Sequence, residues 1–167
     1  MNKKSQKSTH KITAVIDTRE KKPLDLEKYG LECVAETLPH GDYSLLVPDL
    51  RRSVCIERKT LPDFVACCTR ERKRFHKELL ALRGYQHSIV ACEFTLGEVF
   101  RGEYRSKVKP HSILASIARW NSYGVQFLFA ENADQAAWLV AKYLELVARD
   151  TIEIAQLAYL AETVDAP

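Results

Sequence analysis

No apolar run in this 167-residue sequence approaches the ~18 residues needed to span a bilayer. The amino terminus, MNKKSQKSTHK, is basic but lacks an apolar core and does not read as a secretory signal. Both absences point to an intracellular protein, in the cytoplasm of a prokaryote or virus-infected cell, or in a nucleus. The five cysteines, Cys33, Cys55, Cys67, Cys68 and Cys92, are odd in number and form no C-x-x-C pair. That argues against a disulfide framework or a structural zinc site, and leaves reduced thiols acting mostly as small core hydrophobes. The five histidines lack metal-type spacing. There is no internal repeat and no low-complexity segment. Nor is there a strong charge imbalance: 25 Lys and Arg against 22 acids give +3, too little by itself to diagnose a nucleic-acid partner.

What is present suits one globular domain. The hydrophobic share of 46% supplies a core, and the charged share of 28% covers it. Residues 1–10 are polar and read as a basic flexible tail. Residues 12–16 form a β-branched run expected as a first, buried strand, and 31–38 a weaker second one. The turn signal Pro39-His40-Gly41-Asp42 leads into a strand at 43–47. Pro48 to Arg52 interrupts it, and 53–59 is the returning strand of a hairpin. Thr60 can cap a helix with Pro62 in its first turn and Asp63 at the third position. Further helices are expected at 70–83, 110–123 and 133–148, and again at 151–161, with strands at 87–93 and 125–130. Strands first and then strand–helix alternation imply an α/β layered domain around a mixed sheet.

The informative constellation lies on the hairpin. Alternate residues of a strand share a face, so Cys55, Glu57 and Lys59 point one way and Val54, Ile56 and Arg58 the other. The Cα atoms of Glu57 and Lys59 should stand about 6.6 Å apart. If the chain reverses near residues 50–51, paired positions sum to about 100–101, which sets Asp42 opposite residues 58–59, beside Glu57 and Lys59. Two neighbouring carboxylates repel unless a cation joins them. Mg²⁺ suits one or two carboxylates plus water and phosphate oxygens. An E-x-K on an exposed strand is also a common accident; the Gly-Asp at matching register is what raises it above one.

These residues carry a resemblance. Glu57-Arg58-Lys59-x-x-x-Asp63, preceded by Gly41-Asp42, resembles the signature of the XPF family of structure-specific endonucleases, and is similar to the nuclease domain of the archaeal helicase-nuclease Hef. Asp17, Thr18, Arg19 and Glu20 resemble the acidic element closing the family's first strand, and residues 112–120 with the strand at 125–129 its later helix–strand segment. The resemblance spans roughly residues 11–147. It implies a restriction-endonuclease-like fold, a nuclease domain at 11–150 with a C-terminal helical extension at 151–167, and Mg²⁺- or Mn²⁺-dependent cleavage of branched or flapped DNA in repair or recombination. It further implies Asp42, Glu57 and Asp17 as metal ligands, Lys59 as the catalytic lysine, Glu20 as an additional acid near the metal, and Arg58 with Asp63 as a supporting pair.

Candidate DNA contacts are Arg19, Arg70, Arg74 and Lys77, and Arg105, Lys107 and Lys109 in a polar basic loop. Clustered basic side chains attract phosphates, and are equally often plain solvated surface. Asp63 can also serve only as a helix-start acid. His40 is a turn histidine or a general base. Tyr43, Trp120 and Trp138 are expected in the core. Family members commonly carry a helix-hairpin-helix module after the nuclease domain, and the 17 residues after position 150 are too few for one. Substrate preference and partner choice stay open, including a homo- or heterodimer for which the apolar helix at 133–148 is one candidate face. Two other readings compete: a catalytically inactive DNA-binding or dimerisation module of the same fold, and a sequence-specific restriction or repair nuclease.

Overall fold

A computed structural model describes residues 11–164, with the backbone alone for 161–164. The tail expected at 1–10 and the end of the 151–167 extension lie outside the described residues. Strand β1 (Thr13–Asp17) is the β-branched run at the start of the domain. It pairs in parallel with β2 (Glu32–Glu36) and antiparallel with β3 (Tyr43–Val47). Strand β4 (Val54–Thr60) runs antiparallel to β3, and β5 (His87–Glu93) and β6 (Gln126–Phe129) continue in parallel. The result is a mixed six-stranded sheet of order β2-β1-β3-β4-β5-β6. Because β3 opposes both neighbours, the carboxyl ends of β1 and β4 and the amino end of β3 share one sheet edge. That edge receives Asp17, Asp42, Glu57 and Lys59.

Helices cover both faces. On one lie α1 (Leu61–Cys68), α2 (Arg72–Leu82) and α4 (Pro110–Asn121), whose Phe64, Phe75, Leu79, Ile113 and Trp120 pack on Cys55, Val90, Cys92 and Phe127 of the sheet. Aromatic rings interlock here, Phe64 lying edge-on to Trp120 with centroids 5.7 Å apart and Phe75 edge-on to the same indole at 5.0 Å. On the other face α5 (Ala133–Val164) sets Ala136, Ala137, Val140, Ala141, Leu144 and Val147 against Leu45, Ile56, Ile89 and Ala91. Each large side chain fully buried in these layers contributes about 1.5–3 kcal/mol.

Several expectations need correction. The helices expected at 133–148 and 151–161 are one uninterrupted helix, because no Gly or Pro separates them and Thr151 Oγ1 bonds back to Val147 O at 2.8 Å. The expected boundary at 150 falls inside it. The apolar side chains of 133–148 considered for a partner face are mostly spent on the core, while Trp138, expected inside, is 50% exposed. The helix expected at 70–83 begins at Arg72, after a separate α1 and a turn. A short helix, α3 (Leu96–Arg101), was not expected at all: six residues are too few to show a period. Its Thr95–Glu98 capping box was the readable signal. Four of the five cysteines, all but Cys33, are buried as the expected small core side chains. Among the described residues no helix is long and apolar enough to cross a membrane.

Candidate active site

Gly41 brings Asp42 onto β4. Its φ is +73°, and a Cβ there would stand 2.6 Å from Cys55 Sγ and 2.8 Å from Ile56 O. Glycine alone combines this conformation with so close an approach. Asp42 N then donates to Ile56 O at 2.7 Å, Asp17 N donates to Asp42 O at 2.8 Å, and Asp42 Oδ2 accepts from Arg58 N at 2.7 Å. The aspartate is stitched between the ends of β1 and β4. Tyr43 pairs with Ile56, so the hairpin sums to 99 rather than 100–101, and Asp42 stands level with Glu57 instead of residues 58–59.

Asp17, Arg19, Asp42, Glu57, Arg74 and Glu78 line one cavity of about 260 Å³, with His40 at its wall. Glu57 is 8% exposed, and Lys59 Nζ donates to its Oε1. The ammonium also lies 5.4 Å from the Phe75 ring, so the aromatic layer under the sheet floors the site. Burial pushes the Asp42 carboxyl up, the Glu57 charge adds to the push, and together they take it to about 7. Burial raises Glu57 as well, against the pull of Lys59. Lys59 moves up despite its burial, because Glu57 holds its proton. Asp17 behaves oppositely. Arg19 Nε and Nη2 clamp its two oxygens at 2.7 and 3.0 Å, Leu38 N and Arg19 N add bonds of 2.7 and 2.8 Å, and the Arg19 side chain foremost draws the carboxyl down to about 2.

Several other expected site residues lie apart from this cavity. Arg58 points to the opposite sheet face, where it holds Glu93 at 2.5 Å and sits 3.6 Å from Glu20. Glu20 does not line the cavity; its Oε1 accepts from Lys22 N at 2.7 Å and stands 3.6 Å from Arg58. Arg58 and Asp63 are not a pair: Asp63 Oδ2 accepts from Thr60 Oγ1 at 2.6 Å, on the cap of α1. Asp17, expected as a metal ligand, has both oxygens engaged by Arg19 and backbone donors. Arg19 and Arg74 do border the cavity. Arg70 lies in the turn before α2, Lys77 on the outer face of α2, and Arg105, Lys107 and Lys109 on the exposed segment between α3 and α4. Tyr43 and Trp120 are core, as expected. Glu78 was missed, since Arg74 and Glu78 four apart on a helix look like an ordinary surface pair. A larger hollow of about 590 Å³, between Ile12, Pro48 and the far end of α5, shares none of these residues and is mainly apolar.

The sequence matches the ERCC4 domain over residues 16–143. The chain belongs to the ERCC4 domain family. Its fold is that of XPF from Aeropyrum pernix, with a TM-score of 0.67 at 20% identity over 93% of this chain and 75% of the other. A second structure, XPF from Aeropyrum pernix in complex with DNA, gives 0.67 at 23% identity over 84% of this chain and 66% of that one. No curated protein matches. The XPF-family resemblance and the restriction-endonuclease-like fold both hold.

In this ERCC4 domain the donor chemistry fits a hard divalent cation. Asp42 and Glu57 present oxygens to one polar cavity, and their mutual repulsion is what a cation would relieve. Among the described residues no group of three or more His, Cys, Asp or Glu is arranged to hold a metal. A cation here would take two carboxylates and complete its shell with water and phosphate oxygens, the manner of Mg²⁺ or Mn²⁺.

Proposed function

We propose that this ERCC4 domain is a Mg²⁺- or Mn²⁺-dependent endonuclease that hydrolyses phosphodiester bonds in branched or flapped DNA, in repair or recombination. The observation that carries it is the convergence of Asp42 and Glu57 in one cavity at the sheet edge, with the Lys59 ammonium hydrogen-bonded to Glu57. Family membership supports it, and so does the likeness to XPF from Aeropyrum pernix in complex with DNA.

Asp42 and Glu57 would hold the cation. When bound, the ion supplies Lewis-acid polarisation of the phosphate and lowers the pKa of a water. Arg58 N fixes the Asp42 carboxylate through Oδ2, so its orientation is set before any ligand arrives. Lys59 holds a positive charge on Glu57 at the edge of the cavity, where it would orient a water or stabilise charge on the phosphate. Arg19 keeps Asp17 saturated and leaves an exposed guanidinium at the cavity border for the DNA backbone. Arg74 flanks the other side, and Arg70, Lys77, Arg105, Lys107 and Lys109 extend the basic surface. A dimeric partner, of the same or a related chain, belongs to this reading too; Ile154, Leu157 and Tyr159 near the end of α5 are exposed apolar candidates.

The test is cleavage of linear, flap, fork and four-way DNA with Mg²⁺, Mn²⁺ and EDTA. Metal-dependent cutting near junctions is expected. Binding without cutting in every metal would favour the inactive module, and preference for a linear sequence would favour a restriction-type enzyme.

A further inference from the structure

Among the described residues, one buried side-chain oxygen has no hydrogen-bond partner, and it is Oε2 of Glu78. It stands in the wall of the cavity that holds Asp42 and Glu57. Glu78 comes from the middle of α2, one turn beyond Arg74, whose Nη1 lies 3.1 Å from the other carboxylate oxygen. Arg74 is itself tied to Glu71 through Nε at 2.9 Å. Phe75, Leu79 and Leu82 are buried on the same helix, so the backbone under Glu78 is fixed by the core. With Oε1 held on Arg74, Oε2 lies 3.9 Å from Lys59 Nζ. That is ion-pair range and too long for a hydrogen bond. Lys59 has three ammonium protons, and Glu57 takes one of them.

A buried carboxylate oxygen without a donor is unfavourable. Here the missing donor is the neighbouring ammonium, held away by Glu57. Lys59 holds Oε1 of Glu57, so a cation that draws on that oxygen competes with the ammonium for it. We propose that Glu78 is a positioning residue: its Oε2 is the second acceptor for the Lys59 ammonium, occupied when Glu57 turns its charge to a divalent ion. The proposal rests on the nuclease reading for that ion. Its structural core is simply that Lys59 has two seats. With Glu78 present, the Lys59 ammonium leaves Glu57 for an acceptor in the cavity wall, where it would remain near a bound phosphate. Without it, Lys59 competes with the cation for Glu57.

The test uses the full chain and two readouts. The first is the solvent exchange of the Lys59 Nζ protons by NMR, without metal. In Glu57→Gln the ammonium moves to Glu78, and its protons stay slowly exchanging. In Glu57→Gln with Glu78→Gln they exchange too fast to observe; should that double variant not fold, Glu57→Gln with Glu78→Asp shows exchange faster than in Glu57→Gln alone. Loss of the signal already in Glu57→Gln, or its persistence unchanged when Glu78 is also replaced, overturns the proposal. The second readout is Mn²⁺ affinity by titration calorimetry. Glu78→Gln weakens Mn²⁺ about fivefold when Lys59 is present and leaves it unchanged in a Lys59→Met background. Equal weakening in both backgrounds would make Glu78 a ligand and contradict the positioning role. A wild-type chain that neither binds Mn²⁺ nor cuts DNA would defeat the nuclease reading, while the NMR comparison still decides whether Glu78 is the second seat.

Discussion

Asp17 and Asp42 sit one backbone hydrogen bond apart, yet the fold drives their carboxyls in opposite directions. Asp17 is 2% exposed and receives four donors, with the Arg19 guanidinium across both oxygens. Asp42 has one backbone donor on Oδ2 and Glu57 as its charged neighbour. Burial acts upward on both. What separates them is counter-charge: a guanidinium clamped on both oxygens for Asp17, and only the Lys59 ammonium, bonded to Glu57 instead, for Asp42. A saturated aspartate fixes a loop, and an under-compensated one can take an ion from solution. On the proposed function, the two corners of this cavity divide structure from chemistry.

The sharpest break of that contrast is on the chemical side. Glu57→Gln keeps the shape and removes half the charge offered to a cation. Metal-dependent cleavage should fall at least about a hundredfold with DNA affinity nearly unchanged, read by single-turnover assays beside a gel shift. Lys59→Ala comes next, and the rate should drop about tenfold or more while the circular dichroism stays native; an unfolded variant would make the lysine structural.

The structural corner should respond in stability instead. Asp17→Asn leaves one oxygen to do the work of two and abolishes the charge that meets Arg19. We expect a loss of roughly 1–3 kcal/mol, seen as a thermal midpoint lower by roughly 2–4 °C for each kcal/mol. Asp42→Asn should do the reverse without metal, gaining about 1 kcal/mol at pH 8 as a buried like charge disappears. A matching loss in both variants would erase the distinction.

Stability against pH separates the corners more finely. Asp42, raised from 3.8 to about 7, keeps its proton in the fold where the unfolded chain has lost it. Its contribution is whole below the unfolded value and is lost as pH rises to about 7. Asp17, lowered from 3.8 to about 2, has the opposite sign: its contribution is whole above the unfolded value and lost as pH falls toward 2. Urea unfolding of the metal-free chain should show stability falling between pH 4 and 7, and Asp42→Asn should flatten that slope. The smallest effect belongs to the distant loop. Arg105→Ala or Lys107→Ala should lower the salt dependence of DNA binding by about one counterion each and leave the rate at saturation unchanged.

Much of this was legible in the residues. The β-branched run of β1, the Gly-Asp turn and the E-R-K strand fixed which carboxylates meet, because strand alternation and one hairpin suffice for that. The register was misplaced because the turn at 48–53 does not state its own length. Glu78 was illegible, since only the packing of α2 on the sheet turns a helix-surface acid into a cavity wall. The Asp17–Arg19 clamp was hidden for a similar reason: the residues are two apart, but the loop that folds the guanidinium back also bonds Leu38 O, 19 residues on. Arg58 belonged to a recognisable motif, yet alternation had already assigned it to the other face, where the structure finds it.

The most direct test of the open corner is Mn²⁺ titration calorimetry at pH 6.5 in two buffers of different ionisation enthalpy. One ion should bind with release of a proton from the Asp42–Glu57 pair, and Asp42→Asn or Glu57→Gln should each weaken it at least about tenfold, whereas Asp17→Asn should not. Equal binding in all four proteins, or an affinity that depends on Asp17 instead, would contradict the account.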